Sequence, residues 1–302
     1  MRIDLTDVRR SFGRVTALQG ITTAIPAGAR VALIGHNGSG KSTLLRILLG
    51  MVACRGTVRI DGLSPFEDRT RLAERLAYVP QVAPRIAVPV RDLVWATAHV
   101  RGIERARIAA TARVLNLDLD EIGARLLRDL SGGMRQKLLI ALALSVDASL
   151  FVLDEPTASL DTEARQDFFR LIAGIPERAT VVLCSHRLDE LRQLTSHVLA
   201  LRDGVLEFAG ATEDYLQRTA VSVVDVRLAA DAAGAQLSER GFAAGANRWW
   251  RRVLPQQQTV AVVREITTAL DGSVENVLVR DVETLAPGQA PDRAQAGDAD
   301  GP

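Results

Sequence analysis

The run Gly35-His36-Asn37-Gly38-Ser39-Gly40-Lys41-Ser42-Thr43 fills every fixed position of the pattern G-x-x-x-x-G-K-[ST]. The pattern constrains a chain tightly, because it needs a strand before it and a helix after it. Both are legible here. Arg30 to Ile34 reads as a short apolar strand, and Thr43 to Leu49 as an apolar helix stopped by Gly50. Glycines at 35, 38 and 40 let the chain turn and approach an anion without a Cβ in the way. The helix N-terminus adds unpaired N–H groups and the positive end of a dipole. Asn37, Gly38, Ser39, Gly40, Lys41, Ser42 and Thr43 are therefore the candidate cradle for a nucleoside triphosphate. Lys41 is expected to reach the β- and γ-phosphates, and the Ser42 hydroxyl to ligate Mg²⁺. Only Lys41 and Lys137 among the 37 basic residues are lysines, so a compact ammonium on a flexible stem is kept in the loop.

A second segment supplies acids. Ser149-Leu150-Phe151-Val152-Leu153-Asp154-Glu155-Pro156 reads as a strand apolar on both faces that delivers two carboxylates at its C-terminal end. An Asp-Glu pair is more often a solvated turn. Here five apolar or small residues lead into it and Pro156 stops the strand directly after. Asp154 is placed to hold Mg²⁺, and Glu155 to orient or deprotonate an attacking water. Upstream, Leu130-Ser131-Gly132-Gly133 opens a helical run from Met134 to Leu144.

These residues resemble the ATP-binding cassette (ABC) ATPase family over residues 1 to 215. Leu130 to Gln136 is similar to that family's signature motif, Ser159-Leu160-Asp161 to its D-loop, and Tyr78-Val79-Pro80-Gln81 to its Q-loop. Cys184-Ser185-His186 is similar to its switch histidine, after a strand at Thr180 to Leu183. Phe12 falls where the family stacks an aromatic ring on adenine. The resemblance implies an α/β P-loop NTPase cassette, a mixed sheet core with an antiparallel β subdomain and a helical subdomain. It implies a homodimer of cassettes, paired head to tail around two ATPs with Mg²⁺. The signature residues Ser131, Gly132 and Gly133 of one copy would cap the γ-phosphate held by the other. His186 would contact the γ-phosphate, Gln81 the Mg²⁺ and the water, and Asp161 would couple the two sites.

Composition bounds the rest. A formal charge of +1 gives no electrostatic case for nucleic acid. The start Met1-Arg2-Ile3-Asp4-Leu5 carries no apolar targeting segment, and the apolar stretch Leu138 to Leu153 is broken by Ser145, Asp147 and Ser149. Any membrane permease partner is thus expected on another chain, with this one at the cytoplasmic face of the cell membrane. Cys54 and Cys184 show no metal spacing and read as reduced thiols.

Val90 to Gly123 reads as a helical subdomain, with one helix opened by Asp92 and another over Arg105 to Leu115. In the family this region docks a coupling helix of the permease, and Ile86, Val88 and Trp95 could line that groove. Trp95 is read instead as part of the subdomain's own core, because large aromatics bury well. Residues 220–285 read as a small accessory domain with strands at Val221–Leu228, Arg248–Leu254 and Val274–Val282. Helices are expected over Ala229–Arg240 and Gln257–Leu270, giving a split-βαβ or ferredoxin-like sandwich. One of Trp249 and Trp250 is expected in its core. Residues 286–302, rich in Pro, Gly, Ala and Asp, read as a disordered tail. A small C-terminal module after one cassette resembles the ATPases of ABC-2-type exporters, including that of the copper-site maturation transporter for nitrous oxide reductase. The alternatives are an importer ATPase and a translation or DNA-maintenance ATPase. The last two fit less well. The chain has one P-loop and one signature, and no sustained heptads lie between Lys41 and Ser131.

Overall fold

The computed structural model describes residues 1–185, 187–219, 221–230 and 233–282. His186 and the expected tail lie outside them. The chain divides into two compact units, Met1–Thr212 and Glu213–Pro302.

In the first unit, β1 (Ile3–Phe12), β2 (Val15–Ile25) and β4 (Arg55–Ile60) form an antiparallel sheet in the order β2-β1-β4. The second sheet holds β3 (Arg30–Ile34), β5 (Leu76–Val79), β6 (Leu150–Asp154), β7 (Thr180–Cys184), β8 (His197–Arg202) and β9 (Val205–Ala211), in the order β5-β6-β7-β3-β8-β9. Every neighbouring pair is parallel except β8 with β9. The helices are α1 (Lys41–Leu48), α2 (Arg69–Ala73), α3 (Val90–Arg101), α4 (Arg105–Val114), α5 (Leu119–Ile122), α6 (Gly132–Leu144), α7 (Thr162–Ala173) and α8 (Leu188–Leu194). α9 (Thr212–Thr219) follows at the start of the second unit. The cassette architecture read from the sequence is thus present.

β6 and β7 are buried at every residue, as a sheet covered on both faces requires. The two-residue strand period sorts their side chains. Leu150, Val152, Val182 and Cys184 pack with Leu44, Leu45 and Leu48 of α1. Phe151, Leu153, Val181 and Leu183 pack with Leu138 of α6 and Phe168 of α7.

α3 starts at Val90, behind Pro89, two residues before the expected Asp92. Its buried stripe is Val90, Val94 and Ala98, each one turn apart, and that spacing fills the core-facing side. Trp95 is therefore turned outward. It is 56 % exposed and stacks flat on His99 at 5.2 Å between centroids, so the core placement expected for it is wrong.

The second unit continues with β10 (Val221–Leu228), α10 (Gly234–Glu239), β11 (Ala243–Ala244), β12 (Trp249–Pro255), α11 (Thr259–Ala269) and β13 (Val274–Val282). Its antiparallel sheet runs β11-β12-β10-β13. This is the βαββαβ order of a ferredoxin-like sandwich. β11 leaves no mark in the sequence, because two residues cannot show an alternating pattern. Val224, Val226, Leu237, Phe242, Leu254 and Ile266 make the core, with Trp250 packed against it. Trp249, adjacent on β12, takes the opposite face by strand alternation.

Candidate nucleotide site

Parallel strands end on one edge, and the register places the chemistry there. Leu33 of β3 and Asp154 of β6 both pair with Cys184 of β7, and Val79 of β5 pairs with Leu153. Just past that row the four strands release Gly35, Glu155, Ser185 and the Pro80-Gln81 turn. Open parallel sheets bind ligands outside this carboxyl edge.

The loop after β3 is shaped for an anion. Lys41 is buried, and its Nζ donates to the carbonyls of Gly35 at 2.7 Å and His36 at 3.0 Å. Gly40 caps α1 with no side-chain hydrogen bond, so the first-turn N–H groups lack both a capping side chain and an intrahelical acceptor. The Ser39 Oγ is buried with no hydrogen-bond partner among the described residues. Gly40 is obligatory, since it has φ 105° and a Cβ there would lie 2.6 Å from the Ala17 carbonyl. These orphaned donors and the folded-back ammonium fit a triphosphate. Asn37 and Ser42 are exposed, and Thr43 is half-buried.

Asp154 is buried at the end of β6, and burial pushes its carboxyl above the usual range, helped by the neighbouring Glu155. A hydrogen bond with Cys184 and the charges of Lys41 and Arg46 oppose that rise. A divalent cation beside Asp154 would favour its ionised form. Mg²⁺ is commonly held by one or two carboxylates plus phosphate oxygens, and Asp154, Ser42 and Gln81 suit that donor set. Glu155 leaves the strand at φ 45°, its N–H donating to the Cys184 carbonyl at 3.0 Å. Left-handed backbone at a non-glycine residue costs about 1–3 kcal/mol and turns the side chain off the strand direction. Gln81 is exposed just beyond β5. Phe12 is 44 % exposed, and the Arg10 guanidinium lies 4.6 Å from its ring centroid.

The signature residues sit at a helix start. Ser131 caps α6, its Oγ accepting the Met134 N–H at 3.2 Å, and Gly132 stands exposed with open space around it. A Cβ on Gly133 would lie 3.2 Å from the Ser159 carbonyl, so the signature turn and the D-loop are in contact range. Asp161 caps α7 through the Ala164 N–H at 2.8 Å, a bond that holds its carboxyl below the usual range. Lys137, the chain's second lysine, lies 3.9 Å from it.

Gln136, at the end of the signature run, joins three segments. It is buried, and its Nε2 donates to the Pro156 carbonyl at 3.0 Å and the Pro80 carbonyl at 3.5 Å. Its neighbours Arg135 and Lys137 are polar too, so the sequence alone does not set it apart from a solvated first turn. Nearby, Leu76 and Tyr78 of β5, Ala96 and Val100 of α3, and Leu139 and Ala143 of α6 line an open apolar groove of about 380 Å³. No helix among the described residues is long and apolar enough to cross a membrane.

Residues 18–158 match the ABC transporter family model. The sulfate/thiosulfate import ATP-binding protein CysA of Nocardia farcinica is 35 % identical over 229 residues, covering 72 % of this chain and 67 % of that protein. The nickel import ATP-binding protein NikO of Rhodobacter capsulatus is 32 % identical, covering 72 % of this chain and 92 % of the relative. A solved structure titled "Structure of ATP binding subunit of ABC transporter" superposes with a TM-score of 0.64 at 22 % identity, over 72 % of this chain and 92 % of that one. The two relatives carry import names, and the resemblance to ABC-2-type exporters and to the nitrous oxide reductase maturation ATPase finds no support in them.

Proposed function

Since the chain belongs to the ABC transporter ATP-binding family, we propose that it powers a separate membrane permease by hydrolysing ATP in a head-to-tail pair of cassettes. The observation that carries this reading is the single sheet edge at which the phosphate loop, Asp154, Glu155 and Gln81 emerge together. Lys41 and the N–H groups from Asn37 to Thr43 hold the triphosphate, and Phe12 offers a ring face to adenine. Ser42, Asp154 and Gln81 hold Mg²⁺, which supplies charge neutralisation at the phosphates when bound. Glu155 orients and deprotonates the attacking water. Ser131, Gly132 and Gly133 present a helix N-terminus to the γ-phosphate of the partner copy, a second anion site.

Import is the direction favoured, on the names of the relatives above. Export stays as the second reading because the C-terminal unit is a two-helix α+β sandwich rather than the β-rich domain common on importer cassettes. The apolar groove beside α3, with Val100 80 % exposed, suits a coupling helix of the permease and supports a place for this chain at the cytoplasmic face of the membrane. The composite site is tested by mixing Lys41→Ala with Ser131→Arg subunits. Each mixed dimer then has one interface site free of both lesions, so ATPase should return on mixing. A purified Ser131→Arg protein that hydrolyses ATP normally on its own would remove the head-to-tail mechanism.

A further inference from the structure

Glu190 lies on α8, four residues past position 186, and is 1 % exposed. Leu188, Leu191 and Leu194 on the same helix are buried too, so a leucine at 190 would fill this space without burying a carboxyl. The carboxyl is engaged on two sides. Its Oε1 accepts the Thr157 hydroxyl, and the nearby Ser185 hydroxyl also favours the ionised carboxylate. Arg187 Nε stands 3.7 Å from Oε1, while the Arg187 N–H donates to Ser185 Oγ at 3.0 Å. Oε2 is buried without a partner among the described residues. Burial pushes the carboxyl above its usual range, against the opposing effect of the Thr157 and Ser185 hydroxyls.

Those contacts join two segments that both border the hydrolysis chemistry. Thr157 stands two residues after Glu155, in a turn closed by Ala158 N–H to the Glu155 carbonyl (3.2 Å) and Leu160 N–H to the Thr157 carbonyl (3.0 Å). Ser185 and Arg187 flank position 186 on either side. We propose that Glu190 is a positioning residue for ATP hydrolysis, whose carboxyl clamps the turn after Glu155 to the segment bearing position 186. The proposal rests on the site reading above. The clamp fixes the spacing between the turn after Glu155 and the backbone at Ser185 and Arg187, and leaves ATP binding at the phosphate loop alone.

The test measures kcat and KM for ATP on the full chain. Glu190→Ala should lower kcat about ten- to hundredfold, the loss that slight misplacement of reacting groups brings, with KM unchanged. Glu190→Gln keeps an acceptor oxygen for Thr157 and should recover most of the rate. Thr157→Val should also slow turnover, and the double variant Thr157→Val/Glu190→Ala should be no slower than Glu190→Ala, because both changes break one link. A folded Glu190→Ala protein with wild-type kcat overturns the clamp. So do a Gln variant as slow as the Ala one and losses that multiply in the double variant. If Glu190→Ala does not fold, Thr157→Val decides, since it deletes only the hydroxyl. Wild-type kcat in that variant rejects the clamp, and a lower kcat at constant KM supports it. Glu155→Gln, run beside them, separates the layers. If it turns over normally, the site reading fails. If it is inactive while Glu190→Ala is unaffected, only the clamp fails.

Discussion

The six-stranded sheet of the first unit and the four-stranded sheet of the second treat their charged residues in opposite ways. In the first, β5, β6, β7 and β3 run parallel, so their ends gather on one edge, and Asp154, Glu155 and Lys41 lie at or just past those ends. In the second, neighbouring strands run antiparallel and end on opposite edges. Its buried carboxylate, Asp225, sits in the middle of β10. Arg251 lies directly across from it on β12, with Nε donating at 2.7 Å, and Arg280 on β13 donates from the other side. That acid is satisfied within its own sheet. Strand direction thus decides whether polar groups from distant parts of a chain converge on a ligand or must be neutralised where they stand.

The comparison breaks first at Glu155. Glu155→Gln should cut turnover by about a hundredfold or more while ATP still binds, because Lys41, Ser42 and Asp154 remain. Steady-state ATPase assays and titration with a fluorescent nucleotide check both halves, and ATP should then accumulate a dimer visible by size exclusion. Normal turnover would show that the parallel edge is not where hydrolysis occurs.

Next in size is Asp161→Ala, which removes the α7 cap and should cost about 1 kcal/mol in urea unfolding. If Asp161 also couples two sites across a dimer, ATPase activity should fall in the same variant. A stability loss with full activity would confine Asp161 to capping.

The second unit supplies a smaller, pH-dependent effect. Burial alone would raise the Asp225 carboxyl, but the hydrogen bonds from Arg251 and Arg280 outweigh it and hold the group below its usual range. A depressed folded-state value means that the stabilisation is complete above the unfolded value of about 3.9 and is lost as pH falls further. With both arginines largely solvated, the amount is no more than about 1 kcal/mol. Thermal melts of the full chain from pH 5 to pH 2.5 should show this loss, and Asp225→Asn should flatten it. The smallest expected effect is none at all. Removing residues 220–302 should leave nucleotide affinity unchanged, and a large loss in a folded protein would tie the second sheet to the ATP site.

Contiguous residues were enough to specify the strand–loop–helix turn from Arg30 to Leu48, because a strand, three glycines and a helix start encode their geometry locally. The same holds for Asp154-Glu155 at the end of an apolar strand and for β10, where Val224-Asp225-Val226-Arg227-Leu228 alternates within five residues. Tertiary structure alone decided which side of α3 meets the core, and so turned Trp95 outward once Val90, Val94 and Ala98 had taken the inner face. It alone gave Gln136 its bonds to Pro80 and Pro156, and Glu190 its bond to Thr157. Periodicity marks a residue as polar on an apolar face, but its partner lies tens of residues away, and only the packing of α6 and α8 against the sheet edge brings the two within reach.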